Sequence, residues 1–134
     1  MIYLDHHAAS PVGPHVREAM ARAAEVAWAN PSSIHAAGRA ARRVVDRARE
    51  QVANALGAQA PDVVFTAGGT EACNLGVFGL ARGKRRVVTT AIEHPAVGKA
   101  VAALGARGLE VVELPVVGGT PPPADRIAAL GGSD

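Results

Sequence analysis

Aromatic side chains are scarce. Tyr3, Trp28, Phe65 and Phe78 are the only four among 134 residues, too few for the stacking platform on which proteins hold single-stranded nucleic acid. Cysteine occurs once, at Cys73, which excludes an internal disulfide framework and any cysteine-rich zinc site. Lysine occurs only at Lys84 and Lys99. No apolar run is long enough to span a bilayer, and the N-terminus lacks the apolar core of a signal peptide. Repeats, low-complexity tracts and long linkers are also missing. The net charge of +2 is too mild to imply a polyanionic partner. These absences point to a soluble, cytoplasmic protein with neither nucleic acid nor membrane as a partner. With 49% hydrophobic and 19% charged residues, the length suits one domain with a real core.

The first 60 residues read as loop and helix. The opening, Ile2-Tyr3-Leu4, has the composition of a brief strand, and Asp5 to Ser10 then leads into Pro11, Gly13 and Pro14, which impose a loop. His6 and His7 stand beside Asp5, but adjacent side chains diverge and no second ligand pair follows at helical spacing, so no metal is expected. Pro14 suits the first turn of a helix running to about Ala27, with Val16, Met20, Ala23 and Ala27 on its apolar face. Asn30 to His35 is a second polar loop, in which Ser32 or Ser33 is the expected cap of a long helix reaching Leu56. That helix carries Ala41, Val44, Val45, Ala48, Val52, Ala55 and Leu56 on one side. Arg39, Arg42, Arg43, Arg47 and Arg49 lie mostly on the other, as a solvated face. Gly57 stops it.

From residue 61 to 134 strands and helices alternate. Strands are expected at Val63 to Thr66, Arg86 to Ala91 and Leu109 to Val116. Helices are expected at Thr70 to about Arg82, Pro95 to about Arg107 and Pro123 to Leu130. Strands without polar alternation, each followed by a helix, mean a parallel sheet covered on both faces. The fold class is therefore α/β, a helical N-terminal segment followed by part of a three-layer, mainly parallel sheet. The tail Gly131 to Asp134 falls where another strand would come. Residues 1–60 and 61–134 are the two divisions, expected to form one structural unit.

Ligands collect at the carboxyl ends of parallel strands, and two features lie there. Gly68-Gly69-Thr70-Glu71 is a glycine turn opening a helix, where unpaired amides and a threonine hydroxyl suit an anion. It is neither a Walker loop, since no Gly-Lys-Ser/Thr follows, nor a dinucleotide fingerprint, since Gly-x-Gly-x-x-Gly is missing. His94 follows the next strand and could face a heteroaromatic ring or exchange a proton near neutral pH; the plainer alternative is a histidine that caps its helix. Cys73 lies one turn into its helix and reads as a packed small residue rather than a nucleophile.

Four stretches then stand together: Tyr3 to Pro11, Asn30 to His35, Phe65 to Leu75 and Ile92 to Val97. In this order they closely resemble the N-terminal part of cysteine desulfurases, in the class V aminotransferase-like, fold-type I group of pyridoxal 5'-phosphate enzymes. The resemblance covers essentially the whole chain. Glu93-His94-Pro95-Ala96-Val97 is similar to the branch serving iron–sulfur assembly rather than to the selenocysteine-lyase branch. It implies that Gly69 and Thr70 hold the cofactor phosphate, that His94 stacks on the pyridine ring and assists proton transfer, and that Asn74 supports them. Asp5 to Ser10 and Asn30 to Ser33 would border the substrate pocket. The implied reaction takes sulfur from L-cysteine, leaving alanine and an enzyme persulfide for an iron–sulfur scaffold or other sulfur acceptor.

The sequence departs from the family where the chemistry is done. Its Schiff-base lysine, the aspartate at the pyridine nitrogen, the substrate-binding arginine and the catalytic loop cysteine have no counterpart in these 134 residues. Ala67-Gly68-Gly69 also replaces the more usual Ser-Gly-Ala, a mild change. The resemblance thus implies an N-terminal portion, inactive alone, acting in a homodimer or with a complementary chain that carries the lysine and cysteine. Two alternatives remain: a truncated scaffold or interaction domain, and another class V enzyme of the lyase or aminotransferase type.

Overall fold

The computed structural model describes residues 2–120 and 122–130. The chain divides into two compact units, Met1–Phe65 and Thr66–Asp134.

The first unit is a helical pair. Helix α1, Pro14–Val26, starts on Pro14 as its sequence requires, where the missing proline N–H costs no hydrogen bond. Helix α2, Ala36–Leu56, packs against it and ends at Gly57, whose left-handed φ of 66° favours glycine. The cap of α2 differs from expectation. His35, not Ser32 or Ser33, occupies the N-cap, its Nδ1 accepting from the Gly38 amide at 3.2 Å. The serines are taken up by a tighter turn: Asn30 Oδ1 accepts from the Ser32 amide at 2.8 Å, and the Ser33 amide donates to the Asn30 carbonyl. This turn lies so close on α2 that a Cβ at Gly38 would stand 2.4 Å from the Ser33 carbonyl oxygen. Glycine is required there by contact rather than by φ.

The expected apolar faces are covered only in part: Ala23 and Ala27 on the α1 face and Val44, Val45 and Ala48 on the α2 face are half-buried, and Ala41 is buried. No residue of α1 is buried, and Val16 and Met20 of its anticipated inner face are 41% and 61% exposed. On α2 the buried residues are Gly38, Ala41 and Ala53, whereas Leu56 is 74% exposed. Period alone ranks the faces of a helix, but what it packs against decides how much is covered: α1 packs on α2, and α2 on α1 and on the turn at Ala60–Asp62. Trp28 and Ile34 stand out at 75% and 90% exposed. Ile2 to Leu4 pairs with no strand among the described residues.

A 3-10 turn, Ala60–Asp62, follows α2, closed by Gln59 and Asp62. Beyond it the expected strand Val63 to Thr66 does not form. Val63 has extended dihedrals, φ −94° and ψ 118°, but no strand lies alongside. Its carbonyl instead accepts from Arg49 Nε at 3.2 Å, and the same guanidinium lies 5.4 Å from the Phe65 ring centre. Arg49 therefore leaves the solvated arginine face and clamps this segment, held in turn by Asp46 at 2.8 Å.

The second unit holds helix α3, Gly69–Leu80; strand β1, Arg86–Thr90; helix α4, Pro95–Ala106; strand β2, Glu110–Leu114; and helix α5, Ala124–Leu130. Strands β1 and β2 are parallel, with Val88 opposite Val112. Two of the three expected strands are thus present, each shorter than read because the ladder ends where pairing ends. The core sits between α4 and the sheet: Ala96, Ala100, Val101 and Leu104 of α4 and Leu114 of β2 are buried. Gly105 lets α4 close on β2, since a Cβ there would stand 2.9 Å from Val111 Cγ2. At the outer end Arg107 lies 4.9 Å over the Phe78 ring, joining α4 to α3.

Two hydrogen bonds fix the parity of the ladder. The Glu110 amide donates to the Arg85 carbonyl and the Ala91 amide to the Leu114 carbonyl. In a parallel pair alternate residues bond to one neighbour. Residues 85, 87, 89 and 91 therefore face β2, and the backbone groups of Arg86, Val88 and Thr90 face the open edge. After β2 a tight turn, Gly118-Gly119 with φ of 60° and 76°, joins Val117 to Thr120. The strand expected at the Gly131 to Asp134 tail lies outside the described residues.

Candidate cofactor site

The candidate site belongs to the second unit. Helix α3 begins at Gly69, one residue earlier than read. Neither Gly68 nor Gly69 has the left-handed φ that a sharp glycine turn implied; Gly68 is extended at φ 167°. A Cβ at either would meet nothing within 4 Å. What their bareness provides is open approach to the backbone, not a special dihedral.

An open concavity of ≈ 500 Å³ is lined by Ala67, Gly68, Gly69, Thr70, Glu71 and Asn74. Its polar groups are held by a short chain of contacts. Thr66 Oγ1 donates to the Gly68 carbonyl at 3.2 Å, the Ala67 amide donates to Glu71 Oε2 at 2.7 Å, and Asn74 Nδ2 donates to the Thr70 carbonyl at 2.8 Å. Gly68 offers no side-chain cap, so no capping side chain covers the Gly69 and Thr70 amides at the positive end of the helix. Amides, a hydroxyl and a helix start beside open space are the elements of a candidate anion site, with the Glu71 carboxylate at its border.

His94 is placed differently. It is exposed and caps α4, its Nδ1 accepting from the Ala96 amide at 3.1 Å. The acceptor role of Nδ1 assigns the proton of the neutral ring to Nε2. Gly69, Thr70 and Asn74 share the concavity, whereas His94 does not line it. Thr90 Oγ1 donates to Glu93 Oε1 at 2.8 Å and stiffens the turn that carries His94. Glu71 is the site residue that sequence reasoning passed over as a helix starter. Its position three residues after Gly68, where a capping-box carboxylate reaches back, was the available signal.

Cys73 is half-buried on α3, as a packed small residue would be. Lys84 and Lys99 are both exposed. Among the described residues no group of histidine, cysteine or carboxylate side chains could hold a metal ion, and no helix is long and apolar enough to cross a membrane. A second hollow of ≈ 320 Å³ runs between Val77 and Leu80 of α3, Val87 and Val88 of β1, and Val97 and Val101 of α4. Lys84, Arg86, Thr89 and Glu93 also line it, so the groove is mixed, with an apolar floor and a charged rim.

A family model described as aminotransferase class-V matches residues 2–129. The chain belongs to that family. A cysteine desulfurase of Frankia sp. (strain EuIK1) is 49% identical over 111 residues, 79% of this class-V chain and 26% of that protein. A selenocysteine lyase of Bos taurus is 49% identical over 74 residues, 55% of the chain and 17% of that protein. Among solved structures, a NifS-like protein superposes with a TM-score of 0.74 at 34% identity, covering 81% of this chain and 31% of that one. The class-V chain thus spans about a quarter of the Frankia relative's length and about a third of the solved neighbour. Its fold is an incomplete α/β fold of the kind those neighbours share, which accounts for two paired strands where a full layered sheet would carry more.

Proposed function

We propose that this class-V chain supplies the phosphate-binding part of a pyridoxal 5'-phosphate site in a cysteine desulfurase, and that the lysine and cysteine chemistry comes from sequence outside these 134 residues. The observation that carries the reading is the anion concavity at Gly69 and Thr70 in a chain with cysteine desulfurase relatives. The donor set fits a phosphate dianion: backbone amides at a helix start, the Thr70 hydroxyl, and glycines that leave the approach open. Asn74 holds the Thr70 carbonyl and so fixes the first helical turn. With Nδ1 committed to the Ala96 amide, exposed His94 has its ring tied to the start of α4 and Nε2–H left as the group to offer. It is the chain's candidate for stacking on the cofactor and for moving a proton at Nε2. Pyridoxal phosphate, when bound, supplies the electron sink for bond cleavage next to the substrate's amino group.

In this reading the substrate is L-cysteine, the products are alanine and a persulfide, and the working assembly is a homodimer or a complex with a complementary chain, in the cytoplasm. An iron–sulfur scaffold is the sulfur acceptor. The selenocysteine lyase relative favours a second reading, with L-selenocysteine as substrate.

The isolated chain should release neither sulfide nor alanine from cysteine, and borohydride should leave no stoichiometric cofactor adduct on it. Mass spectrometry after reduction checks this, and a single specific adduct would overturn the placement of the lysine elsewhere. Co-expressed with the remainder of the Frankia relative, the chain should support cysteine turnover. A preference for selenocysteine in that complex would favour the second reading.

A further inference from the structure

We infer that Glu71 is a positioning residue of the anion site: its carboxylate locks the turn that presents the Gly69 and Thr70 amides, at the cost of placing a negative charge beside the bound phosphate. The inference rests on the cofactor reading above and adds to it a residue with no part in the chemistry.

The turn from Thr66 to Gly69 has little else to define it. No side chain caps α3, neither glycine is constrained by a positive φ, and no neighbour lies within 4 Å of where their Cβ atoms would be. Two hydrogen bonds hold the turn. One is the 3.2 Å contact from Thr66 Oγ1 to the Gly68 carbonyl; the other is the 2.7 Å contact from the Ala67 amide to Glu71 Oε2. The second is short and charge-assisted, the stronger class of hydrogen bond. It also closes a loop between the start of the turn and the first turn of the helix, tying Ala67 to a residue four positions on. Because Glu71 takes the Ala67 amide, that donor is removed from the ligand. The helix-start amides left at the concavity are those of Gly69, Thr70 and Glu71, beside the Thr70 hydroxyl. A carboxylate in the first helical turn is itself stabilised by the helix dipole. When a phosphate enters, the two anions share the same positive end of the helix, and each weakens the other's hold.

Substitution separates the two effects. Glutamine keeps an oxygen that can accept from the Ala67 amide but carries no charge, and alanine keeps neither. Glu against Gln therefore reads the charge, and Gln against Ala reads the lock. Inorganic phosphate, pyridoxal phosphate and phosphate-free pyridoxal are titrated into the full chain and into Glu71→Gln and Glu71→Ala, following the amide resonances of Gly69 and Thr70. Both phosphate probes should move these resonances and pyridoxal should not. Glu71→Gln should bind phosphate about three- to tenfold tighter than the wild type, the size expected for removing one screened charge a few ångströms away. Glu71→Ala should bind about three- to tenfold more weakly than Glu71→Gln, as expected for one lost hydrogen bond. In parallel, the Ala67 amide should exchange slowly in the wild type and Glu71→Gln but fast in Glu71→Ala, a readout independent of any ligand. Equal phosphate affinity in Glu71→Gln and Glu71→Ala, or equal Ala67 exchange in the two, overturns the positioning role. A Glu71→Gln variant no tighter than the wild type overturns the charge effect. Failure of the wild type and both variants to bind either phosphate probe overturns the cofactor site itself, and the role of Glu71 with it.

Discussion

Single residues carry several tasks at the ends of these helices. Histidine caps both α2 and α4, through His35 and His94, each with Nδ1 as the acceptor. A histidine after a strand was legible in the sequence as a candidate site residue, and capping was the plainer alternative. The geometry displays the cap, while stacking belongs to the proposed holo state. Substitution tells them apart. His94→Asn should preserve stability, because asparagine caps well, whereas His94→Ala should lose about 1 kcal/mol in urea denaturation. If His94 also stacks on the cofactor, both variants should weaken pyridoxal phosphate binding relative to inorganic phosphate. Unchanged binding in His94→Asn would leave the residue as a cap alone. The glycine pair before Thr70-Glu71 is local information, so the concavity that Gly69, Thr70 and Asn74 line could be looked for from the sequence, Asn74 through the family resemblance alone. Glu71 was not singled out, because its role depends on a backbone amide four residues back.

At the scale of elements, helices were read to within a residue or two and strands less well. Helix signals such as Pro14, Gly57 and Pro95 lie within the element, but a strand exists only if another lies beside it. Val63 to Thr66 has the composition and, at Val63, the dihedrals of a strand, yet its carbonyl is taken by Arg49. For the same reason the period of α1 and α2 marked their more covered sides, at Ala23 and Ala27 and at Ala41, Val44 and Val45, but not how much of them stays exposed. The parity of the β1–β2 ladder gives a test. Val88 points its amide to the open edge, so Val88→Pro should be tolerated. The neighbouring Thr89→Pro removes an amide on the β2 side, disturbs the ladder, and should cost at least ~1 kcal/mol more. Thermal unfolding of the two variants measures the difference, and equal melting temperatures would refute the assigned parity.

For the molecule as a whole, the fold class followed from the alternation of strand and helix, and the family from four motifs in order. The number of paired strands did not follow, because sheet size depends on sequence beyond the chain's share of its relatives. An open strand edge and exposed Val16, Met20, Trp28 and Ile34 amount to surface that a stable monomer covers. The chain is therefore expected to self-associate in size-exclusion chromatography as its concentration rises, and a concentration-independent monomer would count against this. The exposed Trp28 has a further use. As the sole tryptophan, it makes the intrinsic fluorescence of the protein a single-site signal from the loop between α1 and α2. Free chain should emit as a solvated indole. A blue shift on adding the rest of a class-V enzyme would report, without any label, that this loop is covered in the complex.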